Sequence, residues 1–467
     1  MYVNVNEKMV QLPPVYKEEL LTSIREEFIK SEKTIVVLDD DPTGTQTCYD
    51  VTVLISWRAE LITEELKKKP SILYILTNSR SLPENDAVKR TLEICNNLKA
   101  AVKESEREIV VISRSDSTLR GHFPAEVDAI AAEMEMQDAV IVLIPAFIEG
   151  GRLTIDDVHY LTENQELVPV SDTAFAKDLS FGYQNANLKL WIEEKTKGRI
   201  NASEVSSISI EDIRIGGPEW VSEKLKSCNN GSICIMNAAG YRDLEVIAMG
   251  LIMAENAGKK ILYRSSATIV PIRAGMESGK IFIPKRSDVV SENGSLVIVG
   301  SHVPKTTRQL NWLLANGGYK DIEVNVAELL QPGETLTLAE TISKQTDQLL
   351  SSGNNVVIHT SRRLETGDDV ESNLKINALV SDFLVSIVKG ITVRPKLIMA
   401  KGGITSSDLA SKALSAEKAL VLGPVIPGVP VWLMDKKSKF PGIIYVVFPG
   451  NVGGDGSLLE VCRKFEN

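Results

Sequence analysis

Histidine and cysteine are scarce in this chain. The four histidines form no HxxxH or HExxH pattern, and the five cysteines, odd in number, include no CxxC pair. That composition argues against a zinc site and against a disulfide framework, and it fits a reducing compartment. Long apolar runs are missing too. The longest, residues 139–148, is interrupted by Pro145 and is far too short to cross a bilayer. The amino terminus is polar and acidic without a signal-peptide core, so the expected location is the cytoplasm and the Asn-X-Ser triplets at Asn201, Asn230 and Asn293 are chance. Positive charge is outnumbered, with a formal net charge of -10, which opposes a nucleic-acid or anionic-membrane partner held by bulk electrostatics. There is no GxxxxGK-S/T loop, and no GxGxxG followed by an acidic residue about 20 positions on. A Walker-type NTPase and a dinucleotide-binding Rossmann domain are therefore disfavoured.

What the chain does have is regular alternation of strand-like apolar runs with helical patterns, over a length of 467 residues that suggests two domains. The expected fold class is α/β, with two domains that each carry a largely parallel sheet flanked by helices. The expected boundaries are residues 1–285, a polar linker at 286–294, and residues 295–467. Residues 34–47, TIVVLDDDPTGTQT, organise the first half. Four β-formers run into Asp39, Asp40 and Asp41, then into a Pro-Thr-Gly-Thr turn. Three carboxylates at the end of a buried parallel strand point to a site there, where open α/β sheets bind ligands. Three further strands, at 71–76, 109–112 and 139–144, also end in polar loops: Thr77-Asn78-Ser79-Arg80, residues 113–122, and residues 145–152. In a parallel sheet those loops share one edge. Residues 153–206 are weakly patterned and read as connections over the site, with 173–178 able to reach the pocket.

Arg80, Arg114, Arg120 and Arg152 each sit in one of these loops, and arginine is well shaped for bidentate carboxylate or phosphate recognition. Together with Asp40, Asp41, Asp116, Thr43, Ser79 and Ser117 they describe a pocket for a small, anionic, polyhydroxylated molecule. Some of the arginines are expected to pair internally with the aspartates, and His122 reads as structural more readily than as a base. In the second half, strands end in glycine turns at Gly300-Ser301, at Gly402-Gly403-Ile404-Thr405, and at Gly450 with Gly453, Gly454 and Gly456. Two run into helices, one of them with Thr405 or Ser406 as its cap. Glycine lets backbone approach a phosphate, and helix amino termini supply free N–H groups; plain turn punctuation is the alternative.

These motifs together resemble the four-carbon acid sugar kinase family over nearly the whole chain. An Asp-Asp-x-Thr-Gly turn is matched by residues 40–44, Asp-Ser-Thr-Leu-Arg-Gly by 116–121, and Pro-Ala-Phe…Gly-Arg by 145–152. The Gly-Ser, Gly-Gly-x-Thr and Pro-Gly-Asn turns recur at 300–301, 402–405 and 449–451. The resemblance implies an acid-sugar domain followed by an ATP domain, with Ser301, Gly402, Gly403, Ile404, Thr405 and Gly450 contacting ATP. The sequence departs from the family pattern at the extra Asp39, at Thr45 where an alanine is common, at Arg114-Ser115 in place of Lys-x, and at Val452-Gly453. The first three bear on the substrate.

The expected activity is an ATP- and Mg2+-dependent transfer to a terminal hydroxyl of a short sugar acid, a tetronate or its 3-oxo form. Asp116 is the first choice for the general base, followed by Asp40 and Asp41, with Arg80, Arg114 and Arg152 holding the substrate carboxylate, Arg120 bridging toward the phosphate, and Thr43 and Ser79 beside the substrate. Metal ligands are not identifiable. The expected partner is a small acid sugar, with neither nucleic acid nor membrane, and self-association is left open. Two rivals are a non-catalytic sensor of a sugar acid and a nucleotide, and a nicotinamide-dependent oxidoreductase.

Overall fold

The computed structural model describes residues 2–331, 335–363, 365 and 370–466. The chain divides into two compact units: Met1–Thr47 with Trp57–Gly279, and Cys48–Ser56 with Lys280–Asn467. Both are α/β. The chain therefore leaves the first unit for nine residues and returns. Within the second unit those residues supply the strand Val51–Leu54, which pairs antiparallel with the strand Lys418–Ile426. Residues 280–285 also go with the second unit, where the Phe282 N–H donates to the Pro424 carbonyl at 2.8 Å.

The amino-terminal unit is built on a parallel sheet. Its strands are β1 (Thr34–Asp39), β2 (Ile72–Leu76), β3 (Ile109–Arg114), β4 (Val140–Ile144), β5 (Ser206–Ile208), β6 (Ile233–Met236) and β7 (Ile261–Ser265). They lie in the order β5-β6-β4-β7-β3-β1-β2, and every neighbouring pair is parallel. Burial explains the composition: all six residues of β1 and all five of β2 and β7 are buried, as expected where helices cover both faces of a parallel sheet. Helices Glu84–Ser105, Ala125–Glu133, Ile210–Ser227 and Tyr241–Asn256 supply that cover. Ser209 starts the third by accepting the Asp212 N–H, while the Asp212 side chain reaches back to Ser209, a reciprocal cap of two orphan donors.

Residues 153–206, expected to form weakly patterned connections, include most of a meander instead. Arg152–Ile155, Val158–Glu163 and Glu166–Pro169 pair antiparallel in sequence, and Val3–Asn4 adds to the far edge. Both hairpins turn on two residues with positive φ, Asp156-Asp157 (55° and 61°) and Asn164-Gln165 (48° and 65°). Asp and Asn tolerate that region, and the resulting turn matches strand twist.

The carboxyl-terminal unit has a mixed sheet. Its strands are β8 (Leu296–Val299), β9 (Lys320–Val324), β10 (Val356–Thr360), β11 (Leu397–Lys401), β12 (Lys418–Ile426), β13 (Val429–Met434) and β14 (Ile444–Phe448), joined by Val51–Leu54. From β14 through β11, β8 and β10 to β9 the pairing is parallel; Val51–Leu54, β12, β13 and β14 pair antiparallel. The core between sheet and helices Pro304–Asn316 and Ser457–Arg463 is aliphatic, with Val297, Val299, Leu310, Leu313, Met399, Leu458 and Val461 at its centre.

Candidate active site

β1, β2, β3 and β7 are parallel neighbours, so their carboxyl ends meet on one edge, and charged side chains stand there. Asp39 and Arg114 are register partners across β1 and β3, and the Arg114 Nη1 lies 3.0 Å from Asp39 Oδ1. Two of the departures from the family pattern, Asp39 and Arg114, are thus each other's partner. Burial, opposed by Arg114, pushes the Asp39 carboxyl up to about 7. Its other oxygen makes no hydrogen bond and is roofed by Gly44, where a Cβ would collide with the carboxylate. Asp39 is accordingly a structural member of the cluster.

Asp40 accepts from the Ser115 hydroxyl at 2.5 Å through Oδ2. Its Oδ1 is buried, stands 3.6 Å from Arg114 Nη1 and 3.8 Å from Arg80 Nη1, and accepts no hydrogen bond. Asp41 pairs with Arg80 Nη2 at 2.5 Å and accepts the Thr43 N–H at 2.9 Å. Burial opposes ionisation of Asp41, but Arg80 and Thr43 hold its carboxyl below the usual range. Asp116 lies between Arg120 Nε at 2.8 Å and Arg80 Nη1 at 3.3 Å, and also accepts from the Thr118 hydroxyl. Burial works against its charge, yet the two arginines outweigh it and keep the carboxyl far below the usual range. An anion so firmly held is a weak base, so Asp116 suits orientation better than proton removal.

Of the remaining expected residues, Arg120 also approaches Asp178 at 3.6 Å and stacks over the Phe175 ring at 4.9 Å, so the 173–178 segment does reach the cluster. Ser79 is fully buried and its hydroxyl donates to Glu126; it supports the site from beneath. Arg152 donates to the Gly150 carbonyl and stands over Phe147 at 5.7 Å. No carboxylate pairs with Arg152 among the described residues, its Nε makes no hydrogen bond, and burial lowers its affinity for the proton while Asp116 works the other way. His122 donates Nε2–H toward the Ser79 and Leu82 carbonyls at 3.2 and 3.0 Å, a structural role.

Sequence reasoning missed three buried residues of the cluster. Arg264 in β7 faces its register partner Ser113 and donates to that hydroxyl at 3.0 Å. Glu126, in helix Ala125–Glu133, stands 3.7 Å from Arg264. His159 holds the 115–121 loop: Nε2 contacts the Ser117 carbonyl at 2.8 Å and Nδ1 the Thr154 hydroxyl at 2.9 Å. A carbonyl can only accept, so the proton sits on Nε2, and burial, which pushes this imidazole down to about 4, keeps it neutral. A charge at or near the last position of an otherwise apolar strand was the signal available for Arg264.

In the carboxyl-terminal unit the three glycine turns converge. A Cβ at Gly300 would overlap the Thr405 hydroxyl; at Gly402 it would stand 3.3 Å from Ser301 Cβ, and at Gly450 3.3 Å from Ser301 Oγ. Gly402, at φ +119°, is itself the cap of helix Gly403–Asp408, with Ser406 donating back to the Ala400 and Gly402 carbonyls at 3.0 and 2.7 Å. The expected caps Thr405 and Ser406 therefore lie inside the helix. Thr306 reaches both Ser301 Oγ and the Gly450 carbonyl at 3.2 Å, and Arg362 donates to the Ser301 carbonyl at 2.8 Å. Ile404 is exposed at the rim. Small residues, hydroxyls and a cation around a bare backbone make a cradle that fits a nucleotide's phosphates. Gly300→Ala should close it, weakening ATP binding about tenfold or more in a calorimetric titration, since the added methyl must displace Thr405. Unchanged ATP affinity would show that the cradle is not used.

Lys401, also missed, ends β11 fully buried, donates to the Pro449 carbonyl at 2.6 Å and lies over the Phe448 ring at 4.1 Å. Burial, helped by Lys305, pushes its ammonium down to about 7. A lysine whose folded value lies below its unfolded value of about 10.4 costs stability while charged, and that cost fades as pH rises between the two. The thermal stability of the native chain relative to Lys401→Met should therefore grow from about pH 6.5 to about pH 9.5. A pH-independent difference in melting temperature would contradict this.

Among the described residues, no three His, Cys, Asp or Glu side chains group in a way that could hold a metal ion, and no helix is long and apolar enough to cross a membrane. Residues 35–272 match the family model of a sugar-binding N-terminal domain, and residues 296–458 that of a nucleotide-binding C-terminal domain. A D-threonate kinase from Bordetella bronchiseptica is 29% identical over 152 residues, covering 31% of this chain and 35% of the relative, so the match spans about a third of that kinase. The fold is shared with a Haemophilus influenzae protein from a family of unknown function (TM-score 0.59, 16% identity, 92% of this chain and 100% of that one). It is also shared with a Salmonella typhimurium protein provisionally described as a tRNA synthase (TM-score 0.66, 15% identity, 92% and 98%).

Proposed function

Because the chain belongs to the family that joins a sugar-binding N-terminal domain to a nucleotide-binding C-terminal domain, we propose that it is an ATP-dependent kinase that phosphorylates a terminal hydroxyl of a four-carbon acid sugar, a tetronate or a 3-oxo-tetronate. The observation that carries this reading is the buried carboxylate–arginine cluster at the strand ends of the amino-terminal unit. Its charges are fixed before any ligand arrives, and such preorganisation is what phosphoryl transfer asks of a protein.

Asp40 is the proposed base. Its Oδ1 is a buried acceptor that makes no hydrogen bond within the chain, while Ser115 orients the other oxygen. A substrate hydroxyl bonded to Oδ1 would pass its proton there as its oxygen bonds the γ-phosphorus and the bond from that phosphorus to the departing ADP breaks. Asp41 and Asp116 would hold Arg80 in place, Arg120 would face the transferring group, and Thr43 and Arg152 would contact the acid sugar. ATP would lie on Ser301, Gly402, Gly403, Thr405 and Gly450, with Ile404 against the base. Mg2+ is expected as the counter-ion of the nucleotide; such ions need only one or two protein carboxylates beside the phosphates, and the described residues make no dedicated cage for one.

ADP release with Mg-ATP across tetronates, 3-oxo-tetronates and longer aldonates tests the reading. A strong response to one four-carbon acid is expected. A blank panel in protein that still binds ATP would rule out this substrate class, and failure to bind ATP would remove the kinase reading altogether.

A further inference from the structure

The buried arginines of the amino-terminal unit are not equally engaged. Arg114 meets Asp39 at 3.0 Å, Arg80 meets Asp41 at 2.5 Å, and Arg120 meets Asp116 at 2.8 Å. Arg264, like Arg152, has no such partner among the described residues, and of the two it is the buried one. Its carboxylate neighbours are Glu126, at 3.7 Å and without a hydrogen bond, and Asp40, whose Oδ2 is already taken by Ser115. Glu126 is a poor counter-ion, since burial pushes its carboxyl up despite Arg264 and one of its oxygens is already taken by Ser79. Among the described residues Arg264 donates a single hydrogen bond, from Nη1 to the Ser113 hydroxyl. A guanidinium carries five donors, and a buried charge with so little compensation favours a ligand that supplies the missing partner.

The surroundings say what could compensate it. Arg264 is only 5% exposed and lines a small pocket with Ser115, Asp116, Leu119, Arg120 and Ser265. Gly121, at φ +122°, packs against the same groups; a Cβ there would stand 2.6 Å from Ser115 Oγ, 3.1 Å from Arg264 Nη2 and 3.2 Å from Asp40 Oδ2, so any side chain would crowd them. The ligand must therefore be small, carry negative charge at Arg264, and tolerate Asp40 and Asp116 close by. A multiply charged phosphate would be repelled by those carboxylates. A single planar carboxylate matches the guanidinium fork and leaves the hydroxylated end of the molecule toward Asp40.

We propose that Arg264 is a specificity-determining residue of the amino-terminal site, its guanidinium binding the carboxylate of the acid sugar and so selecting an acid over the neutral polyol. This rests on the kinase reading above and adds a residue to it.

Calorimetric titration of the native chain with threonate and erythronate, and with neutral threitol and erythritol, tests it beside Arg264→Gln and Arg264→Lys. The native chain should prefer the acids. In Arg264→Gln the affinity for the acids should fall about 10- to 100-fold, the range for a lost charge-assisted hydrogen bond, with polyol affinity unchanged. Arg264→Lys keeps the charge without the fork and should recover part of the preference. Should Arg264→Gln fail to fold, as judged by loss of the ATP-induced thermal shift, Arg264→Lys carries the test through its reduced acid-over-polyol ratio. An unaltered ratio in the folded variants, or an equal loss of acids and polyols, overturns the proposal and leaves the kinase reading standing. Absence of any four-carbon acid binding or turnover by the native chain overturns both.

Discussion

Asp40→Asn is expected to reduce turnover about 10²- to 10⁴-fold, the usual worth of a positioned general base, with ATP affinity unchanged. The substitution is nearly isosteric, so Ser115 and the arginines can keep their places. What it removes is the proton acceptor: Oδ1 is buried, without a hydrogen bond among the described residues, and 3.6–3.8 Å from two guanidinium nitrogens, which leaves an oxygen open to a substrate hydroxyl. Asp41 and Asp116 cannot readily replace it, because arginines hold both carboxyls below the usual range. Steady-state kinetics on the best acid decides the matter. Turnover within about threefold of the native value would take the role from Asp40.

Gly44→Ala is expected to do more damage, although it adds a single methyl group. That methyl would fall on the Asp39 carboxylate, and neither partner can yield cheaply. Gly44 lies in the 3-10 turn Pro42–Thr47, which is buried apart from Thr43, and Asp39 is tied to Arg114. Relief requires either moving the turn, which carries Thr43 and follows Asp41 directly, or parting Asp39 from Arg114 in a buried site. Overpacking costs about 1–3 kcal/mol, and breaking a buried ion pair about 3–5 kcal/mol. A shift of about 1 Å in catalytic groups can cost about 100-fold in rate. We therefore expect a melting temperature lowered by several degrees and turnover reduced at least about 100-fold. Native-like melting and turnover together would show that the turn has slack.

The parallel strands of the amino-terminal unit were legible because a sheet covered on both faces demands uninterrupted β-formers, and residues 35–38, 72–76 and 140–144 supply them. Their polar ends then located the cluster around Asp40, Asp41, Arg80, Arg114, Arg120 and Asp116. Pairing was not legible. Nothing in the sequence shows that β1 lies beside β3, so Asp39 and Arg114 read as two unrelated oddities when they are one ion pair. Arg264 reads as the end of a strand and Lys401 as the residue that leads into a glycine turn, although a charge at the end of a buried strand carries the same message as Asp39 does. The meander at 152–169 was missed because its signals are short: two-residue Asp-Asp and Asn-Gln turns in place of Asn-Gly. The β12–β13 hairpin was missed because Pro424, Pro427 and Pro430 break the alternation, which the structure absorbs with register shifts between Val421 and Gly423 and between Pro424 and Ile426. The excursion of residues 48–56 into the second unit follows from non-local pairing with β12, which local propensity cannot reveal.

The central claim is transfer of a phosphoryl group to a carbon-bound hydroxyl of a four-carbon acid. Phosphorus NMR of the mixture after incubation with Mg-ATP and the most active acid tests it most directly. The account predicts a new phosphomonoester resonance coupled to a CH2 group, appearing in step with ADP and stable to hydroxylamine. Inorganic phosphate as the only new species besides ADP would mean hydrolysis, and a hydroxylamine-labile acyl phosphate would mean attack by the carboxylate; either would contradict the account.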